Sequence, residues 1–390
     1  MPLSRKLRYG MVGGGPGAFV GKIHRKAAAL DGFTTLAAGV FSTDPAKSRQ
    51  HGEALHLDPA RLYDSFEEMA EREAALPEDE RIDFVSIVTP NFLHFPIAKA
   101  FIERGVHVVC EKPMTTTLED AEELCRLVAA HDVVFALTHN YTGYPMVKQA
   151  RAMVQNGELG EIHKVVVEYP QGWLATKLED AGNKQAEWRT DSLRAGVSLS
   201  VGDIGSHAEN LARYITGLEM ESLCADIHTF VPGRTLEDDA SMLIRYQGGA
   251  RGVLHCSQIS VGEENDFNIR VYGAAGALAW GQQNPNYLRF LSNDGPERVY
   301  KRGNPYLAEA ARRNTRIPSG HPEAFLEAFA NIYVNATHAI EAHRTGAEVD
   351  DITMDFPTVQ DGAAGVHFIH TAIESGKERA WVDASYAPPG

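Results

Sequence analysis

Lys112 stands in the run Val108-Val109-Cys110-Glu111-Lys112-Pro113, where a β-branched stretch ends abruptly in Glu-Lys-Pro. Far upstream, Leu7-Arg8-Tyr9-Gly10-Met11-Val12 runs into Gly13-Gly14-Gly15-Pro16-Gly17. The first strand end offers glycine backbone to a dinucleotide pyrophosphate, and the later one offers an ammonium beside a nicotinamide. Together they suggest hydride chemistry, whereas either alone is a weak sign.

Such residues need strand ends to hold them. The first third of the chain alternates short β-rich runs with helical patterns, as a doubly wound parallel sheet does. Strands are expected at 7–12, 34–41, 84–88, 106–110 and 133–137, with helices at 19–30, 45–55, 65–75, 94–104 and 117–131. The almost wholly apolar run 84–88 suits a strand buried on both faces. After about Thr138 the rhythm changes. A helix is expected at 146–156, then strands at 164–169, 223–230, 240–246, 252–259, 268–271, 277–280 and 287–291, with helices at 206–215, 322–343 and 358–375. Gly248-Gly249 marks a hairpin turn. The expected fold class is α/β: an N-terminal Rossmann domain at 1–138, then a C-terminal α+β domain at 139–390 with a large open, mostly antiparallel sheet.

A chain of 390 residues favours two domains over one. Its 37 basic and 52 acidic residues give a net charge of −15, against nucleic acid or an anionic membrane as a partner. No stretch approaches the ~18 apolar residues of a membrane span, and none near the N-terminus reads as a signal peptide. Cys110, Cys125, Cys224 and Cys256 are scattered without CxxC spacing, so no metal site or disulfide framework is expected and the cytoplasm is the default.

Gly13, Gly15 and Gly21 follow a strand and precede a helix, the context a dinucleotide fingerprint requires. Helix N-terminal amides would supply donors to the pyrophosphate, so Phe19 and Val20 join the cofactor candidates. Pro16-Gly17-Ala18 reads as an insertion relative to strict GxGxxG. At the end of the second strand an acid would hold a ribose hydroxyl, but Ser42 occupies that position, followed by Thr43. Asp44 is either a late acid or the N-cap of the next helix. Lys47 and Arg49 are either partners for a 2′-phosphate or solvated helix charges. The choice between NAD and NADP stays open.

Thr89-Pro90-Asn91 with His94, then Glu111-Lys112-Pro113, then Gly202-Asp203-Ile204-Gly205-Ser206-His207 together resemble the glucose–fructose oxidoreductase / inositol dehydrogenase (Gfo/Idh/MocA) family. The likeness spans nearly the whole chain, including Asn156-Gly157-Glu158-Leu159-Gly160-Glu161-Ile162. It implies a Rossmann domain, an open-sheet domain, a tightly bound NAD or NADP, sugar or cyclitol substrates, and homo-oligomers, commonly dimers or tetramers. By the same analogy Thr89, Pro90 and Asn91 line the nicotinamide ribose, with His94 and Asn140 as further cofactor contacts; the bland reading of Asn and Pro there is a helix-entry turn. Three departures stand out: the longer glycine loop, Ala195-Gly196-Val197-Ser198-Leu199 before the DxGxH string, and Asn210 where many members carry an acid.

Oxidising a secondary alcohol needs a base for the hydroxyl proton while hydride leaves carbon. Asp203 and His207 are four apart, which at a helix start puts them on one face. His207 is the natural base or acid, with an unperturbed pKa of ~6.5. Asp203 orients the imidazole and the substrate, or is only an N-cap. Lys112 hydrogen-bonds the reacting oxygen and stabilises its charge. Glu111 fixes Lys112 or a cofactor ribose. Asn140, Tyr141 and Tyr144 follow the last Rossmann strand, where clefts form. Trp173, Lys177, Gln185, Trp188 and Arg189 lie in a long irregular segment, either as stacking faces and polar arms for a sugar or as a loop packed on the sheet. His321 opens a long helix and is a further substrate candidate.

The leading expectation is an NAD(P)-dependent oxidoreductase acting on a ring hydroxyl of a sugar, glycoside or cyclitol. A redox glycosidase, which oxidises C3 transiently, eliminates the aglycone and adds water, starts from the same hydride step. Its extra acid/base would come from Tyr141, Tyr144 or His321. A sensor without turnover fits less well with an intact Lys, Asp and His set.

Overall fold

The computed structural model describes residues 3–390. The chain forms two compact units: the first runs to Thr138 and takes in Phe329–Ala363 and Pro388–Gly390, and the second comprises His139–Ala328 and Ala364–Ala387. The stretch Phe329–Ala363, expected with the C-terminal domain, thus belongs to the first unit.

In the first unit β1 (Leu7–Gly13), α1 (Phe19–Leu30), β2 (Thr34–Val40), α2 (Pro45–Ala54), α3 (Phe66–Ala74), β3 (Phe84–Val88), α4 (His94–Ile102), β4 (His107–Cys110), α5 (Leu118–His131) and β5 (Phe135–Leu137) follow in order. The strands form one parallel sheet in the order β2-β1-β3-β4-β5. Strand order reverses between β1 and β3, so the crevice at their carboxyl ends is where such sheets bind ligands. Register pairs Gly13 with Val88 and Ile87 with Cys110. The glycine loop, Thr89 and Glu111 therefore leave the sheet side by side along one edge. The helices start where side chains cap them: Ser65 Oγ accepts from Glu68 N, and Thr117 Oγ1 from Asp120 N.

The second unit contains α6 (Pro145–Gln155), β6 (Ile162–Pro170), α7 (Lys184–Arg189), α8 (Ser192–Ala195), α9 (Ser206–Thr216), β7 (Met220–His228), β8 (Asp239–Tyr246), β9 (Arg251–Ser257), β10 (Asn268–Gly273), β11 (Gly276–Gly281), β12 (Tyr287–Ser292), β13 (Arg298–Lys301) and α10 (Glu309–Arg313). Then come α11 (Phe325–Thr345), α12 (Val359–Glu378) and β14 (Val382–Asp383). The nine strands lie in the order β13-β12-β11-β10-β6-β9-β8-β7-β14. All neighbours are antiparallel except β6 and β9. Alternate residues (Val165, Val167 and Tyr169 on β6; Met242 and Ile244 on β8) turn to a core shared with Val147 and Met153 of α6 and Leu211 and Ile215 of α9. The positive φ of Gly248 and Gly249 makes the β8–β9 turn.

Among the described residues, no helix is long and apolar enough to cross a membrane, the four cysteines are free, and no group of three or more acidic, His or Cys side chains could hold a metal ion. Two expectations need correction. The segment before Asp203 is not wholly irregular, because it contains α7 and α8. The long helix expected from residue 322 begins at Phe325, because the upstream Glu323 carboxylate is used by Arg302 Nη1 and by the amides of Arg316 and Ile317.

Candidate functional site

The glycine loop passes a direct test as a phosphate cradle. A Cβ on Gly15 would lie 2.2 Å from the Phe41 carbonyl oxygen, and one on Gly21 would lie 2.3 Å from Gly14 Cα. Gly13 and Gly14 have φ of +92° and +71°. Only glycine lets this turn close so tightly that α1 starts directly over it. Ala18 caps α1 without a side-chain hydrogen bond, so no side chain competes for its first amides there. Phe19 is exposed and Val20 half-buried beside it. The Thr89 hydroxyl, at the same sheet edge, is buried without a protein partner. A dinucleotide fits this edge.

At the end of β2 the candidate groups have close partners within the protein. Asp44 is the N-cap of α2, accepting from Ala46 N at 3.1 Å and Lys47 N at 3.3 Å. Ser42 Oγ accepts from Asp44 N at 3.1 Å, and Thr43 is exposed. Lys47 Nζ lies 3.2 Å from Asp44, and Arg49 Nη2 2.7 Å from Asp64.

Glu111 leaves β4 into a buried hydrogen-bond cluster. Its Oε1 meets His24 Nε2 at 2.8 Å and Thr138 Oγ1 at 2.6 Å. His24 Nδ1 meets Tyr333 Oη at 2.6 Å, which meets Ser86 Oγ at 2.8 Å. Burial alone would push the Glu111 carboxyl up; the hydrogen bond and charge of His24, the charge of Lys112 and the Thr138 hydroxyl bring it down to about 2. Lys112 is half-buried, and its peptide to Pro113 is cis. His94, expected to touch cofactor, has its ring nitrogens at the main chain: Nδ1 lies 2.9 Å from Pro113 O and Nε2 2.9 Å from Thr89 O. It ties the Thr89-Pro90-Asn91 turn to the Glu-Lys-Pro segment, and Asn91 is buried in that turn.

In the second unit Asp203 lies in a π-helical turn, Val201–Gly205, that runs into α9. Such turns often occur at functional sites. The buried Glu237 holds it from outside: Oε1 accepts from Leu199 N at 3.0 Å, Val201 N at 2.9 Å and the Ser198 hydroxyl. Burial pushes the Glu237 carboxyl up against those bonds. Asp203 Oδ2 accepts from Arg189 Nε at 3.1 Å and Gln258 Nε2 at 2.8 Å. Arg189 stacks on Trp188 at 4.3 Å and reaches Trp173 at 5.9 Å. Its Nη1 donates to Gln185 Oε1 at 2.8 Å, while Lys177 pairs with Asp180.

His207 is buried with Nδ1 3.2 Å from His139 Nδ1 and its ring edge-on to Tyr141 at 4.9 Å. Tyr141 Oη bonds Tyr169 Oη, which donates to Asn265 Oδ1 at 2.7 Å. Gln171 Nε2 shares that oxygen at 2.6 Å, and Trp173 Nε1 donates to Gln171 Oε1 at 3.0 Å. The structure thus gathers Tyr141, Trp173, Trp188, Arg189, Asp203 and His207 into one cluster. Tyr144 packs beside it at 6.2 Å from Tyr141. Asn140 is buried, its Nδ2 without a protein partner. His321 is exposed in the loop before α11, its carbonyl held by Arg302, and is not part of the cluster. Sequence reasoning missed His24, Ser86, Tyr333, Tyr169, Gln171, Asn265, Gln258 and Glu237. A lone His on the otherwise apolar Gly21/Ala27/Ala28 face of α1, and one hydroxyl in the apolar strand β3, were available signals for the first two.

Residues 7–139 match the family described as "Oxidoreductase family, NAD-binding Rossmann fold", and residues 147–279 match the "GFO/IDH/MocA C-terminal domain". The chain belongs to the Gfo/Idh/MocA oxidoreductase family. Within that family it is similar to the uncharacterized oxidoreductase YfiI of Bacillus subtilis (strain 168), at 32% identity over 98% of each chain. The levoglucosan dehydrogenase of Pseudarthrobacter phenanthrenivorans is 26% identical over 97% of this chain and 98% of its own. A solved inositol dehydrogenase homolog from Azotobacter vinelandii complexed with NAD+ matches at TM-score 0.93 and 36% identity over 98% of each chain. Its complex with NADH and myo-inositol matches at 0.90, with the same identity and coverage.

Proposed function

We propose that this Gfo/Idh/MocA oxidoreductase is an NAD-dependent dehydrogenase of a polyhydroxylated ring, a cyclitol or pyranose-type sugar, with Lys112, Asp203 and His207 as its catalytic residues. The observation that carries the reading is the setting of His207. The His207 imidazole lies edge-on to Tyr141 and near Tyr169, in a cluster that continues through Asn265 and Gln171 to Trp173 and through Arg189 to Trp188, Asp203 and Gln258. Flat apolar faces beside amides and a guanidinium suit a ring with hydroxyls on its rim. A relative that acts on levoglucosan and a homolog solved with myo-inositol support that substrate class.

Bound NAD+ supplies the hydride acceptor. The glycine loop and the first turn of α1 hold its pyrophosphate, and Thr89 Oγ1 and Asn91 serve its nicotinamide ribose. NAD rather than NADP is favoured because the basic groups after β2 are already paired, Lys47 with Asp44 and Arg49 with Asp64. Lys112 donates to the reacting oxygen and stabilises its developing charge. His207 takes the hydroxyl proton on Nε2 while Nδ1 faces His139. Asp203, fixed by Arg189 and Gln258, orients a neighbouring hydroxyl.

The redox-glycosidase reading asks for another acid/base, and its candidates fit poorly. Burial pushes the Tyr141 hydroxyl up to about 12 and the Tyr144 hydroxyl higher still, so neither serves as a base near neutrality. One assay decides. Catalytic NAD+ is offered with cyclitols, free sugars and chromogenic glycosides while reduced-nicotinamide absorbance and aglycone release are followed together. Reduction without aglycone release is expected; aglycone release without net reduction would replace this reading by the glycosidase.

A further inference from the structure

We infer that His24 is a positioning residue for Lys112, acting through Glu111. The inference rests on the reading above, in which Lys112 carries the reaction.

His24 lies on α1, away from the chemistry in sequence and fully buried. One of its hydrogen bonds has a fixed direction. A carboxylate only accepts, so His24 Nε2 carries the proton and donates to Glu111 Oε1 at 2.8 Å. Nδ1 meets Tyr333 Oη at 2.6 Å. Tyr333 Oη in turn meets Ser86 Oγ at 2.8 Å.

The chain does not relay protons to water. Its far end, Ser86, is 0% exposed within β3, and Tyr333 is 1% exposed. A hydrogen-bonded string that ends inside the sheet fixes geometry instead. What it fixes is the backbone around Lys112. Glu111 N donates to Ile87 O at 3.0 Å, and Glu111 Oε2 accepts from Lys112 N at 3.3 Å. On the other side His94 holds the Pro113 carbonyl at 2.9 Å. Lys112 is thus aimed from a short segment anchored by a buried histidine at each end. Removing the His24 anchor leaves a buried carboxylate short of a donor, and the segment must shift to find another.

Two substitutions separate positioning from packing. His24→Gln places an amide near the former Nε2 and keeps a donor for Glu111. His24→Asn places its amide near the former Nδ1, keeps Tyr333 and abandons Glu111. His24→Asn leaves the larger gap, so melting temperature is measured for both. Loss of a hydrogen bond to a charged group predicts that His24→Asn lowers kcat about 10–100-fold. His24→Gln should stay within about fivefold of the native protein, and NAD+ affinity by fluorescence titration within about threefold for both. A readout independent of turnover is the rate at which an amine-directed reagent modifies Lys112, followed by mass spectrometry. It should change in His24→Asn and not in His24→Gln. Equal losses in the two variants, in step with melting temperature, would overturn the proposal. Lys112→Ala separates the two levels. If that variant stays active, the underlying reading of Lys112 fails. If it is inactive and the two His24 variants behave alike, only the positioning role fails. In the Lys112→Ala background, adding His24→Asn should cost less than about twofold, the non-additivity expected of residues acting as a unit.

Discussion

Around Lys112 the polar partners are buried, close and drawn from regular elements: His24 from α1, Ser86 from β3, Tyr333 from α11 and Thr138 just past β5. Around His207 they are aromatic rings and amides from irregular stretches: His139 and Tyr141 after β5, Gln171 and Trp173 after β6, Gln258 after β9, and Asn265 before β10. Trp188 and Arg189 come from α7, and their segment has a small core of its own, Leu174, Ala186, Leu199 and Leu236. The first neighbourhood is held by the backbone of a parallel sheet and by one ionised carboxylate. The second is held by side chains that can be exchanged without disturbing a strand. A cofactor of constant shape suits the first, and substrates of variable shape suit the second.

The largest effect should come from the rigid neighbourhood. Lys112→Ala removes the charge that stabilises the reacting oxygen, and kcat/KM should fall about 10³-fold or more. NAD+ should still bind in a fluorescence titration, since the glycine loop is untouched. Ordinary turnover in this variant would end the assignment. Next is His207→Gln, which keeps a polar group but no base. A loss of about 10²–10³-fold is expected, and the acid limb of the pH profile of kcat/KM should flatten. A rate loss with the limb intact would move the base elsewhere. Smaller again is Trp188→Ala, which removes a stacking face and the partner of Arg189. KM should rise about tenfold, one hydrogen bond's worth, with kcat nearly unchanged. A kcat effect as large as that of His207→Gln would show that this face also fixes Asp203, and would erase the contrast between the two neighbourhoods.

The same contrast explains what could be read from the chain alone. Gly13, Gly15 and Gly21 were legible because close backbone approach admits one residue type, and β3 because a run of five with a single polar residue has few alternatives. The family strings fell at strand ends and at a helix start, where spacing in sequence maps directly onto space. The segment from residue 171 to 197 was not legible. Helices of six and four residues, α7 and α8, are too short to show a period and form because tertiary contacts hold them. Partners such as Tyr169, Asn265 and Glu237 are brought in by non-local pairing, including the parallel β6–β9 contact that no local pattern announces. His321 misled because Pro322 looked like a first helical residue, whereas the Arg302–Glu323 pair delays the helix to Phe325. His24 and Ser86 stood in plain view on apolar elements and drew no reading; the useful rule is that a polar residue on a buried face has a partner to be found.

The mildest test is of stability in acid, and it bears on the claim that the rigid neighbourhood is organised by an ionised group. The Glu111 carboxyl is held at about 2 in the folded protein against an ordinary 4.5, with burial opposing and the bonds and charges of His24, Lys112 and Thr138 prevailing. A lowered folded value means the unfolded chain takes up the proton first as pH falls. The stabilisation is complete above pH ~4.5 and drains away as pH drops towards ~2. Denaturant midpoints of the native protein should therefore decline across that window more steeply than those of Glu111→Gln, which has no proton to gain there. The two curves should run parallel above it, offset by whatever the lost charge-assisted bonds contribute. If they stay parallel through the acid window as well, Glu111 is not the buried anion described, and Lys112 is aimed by the main chain and His94 alone.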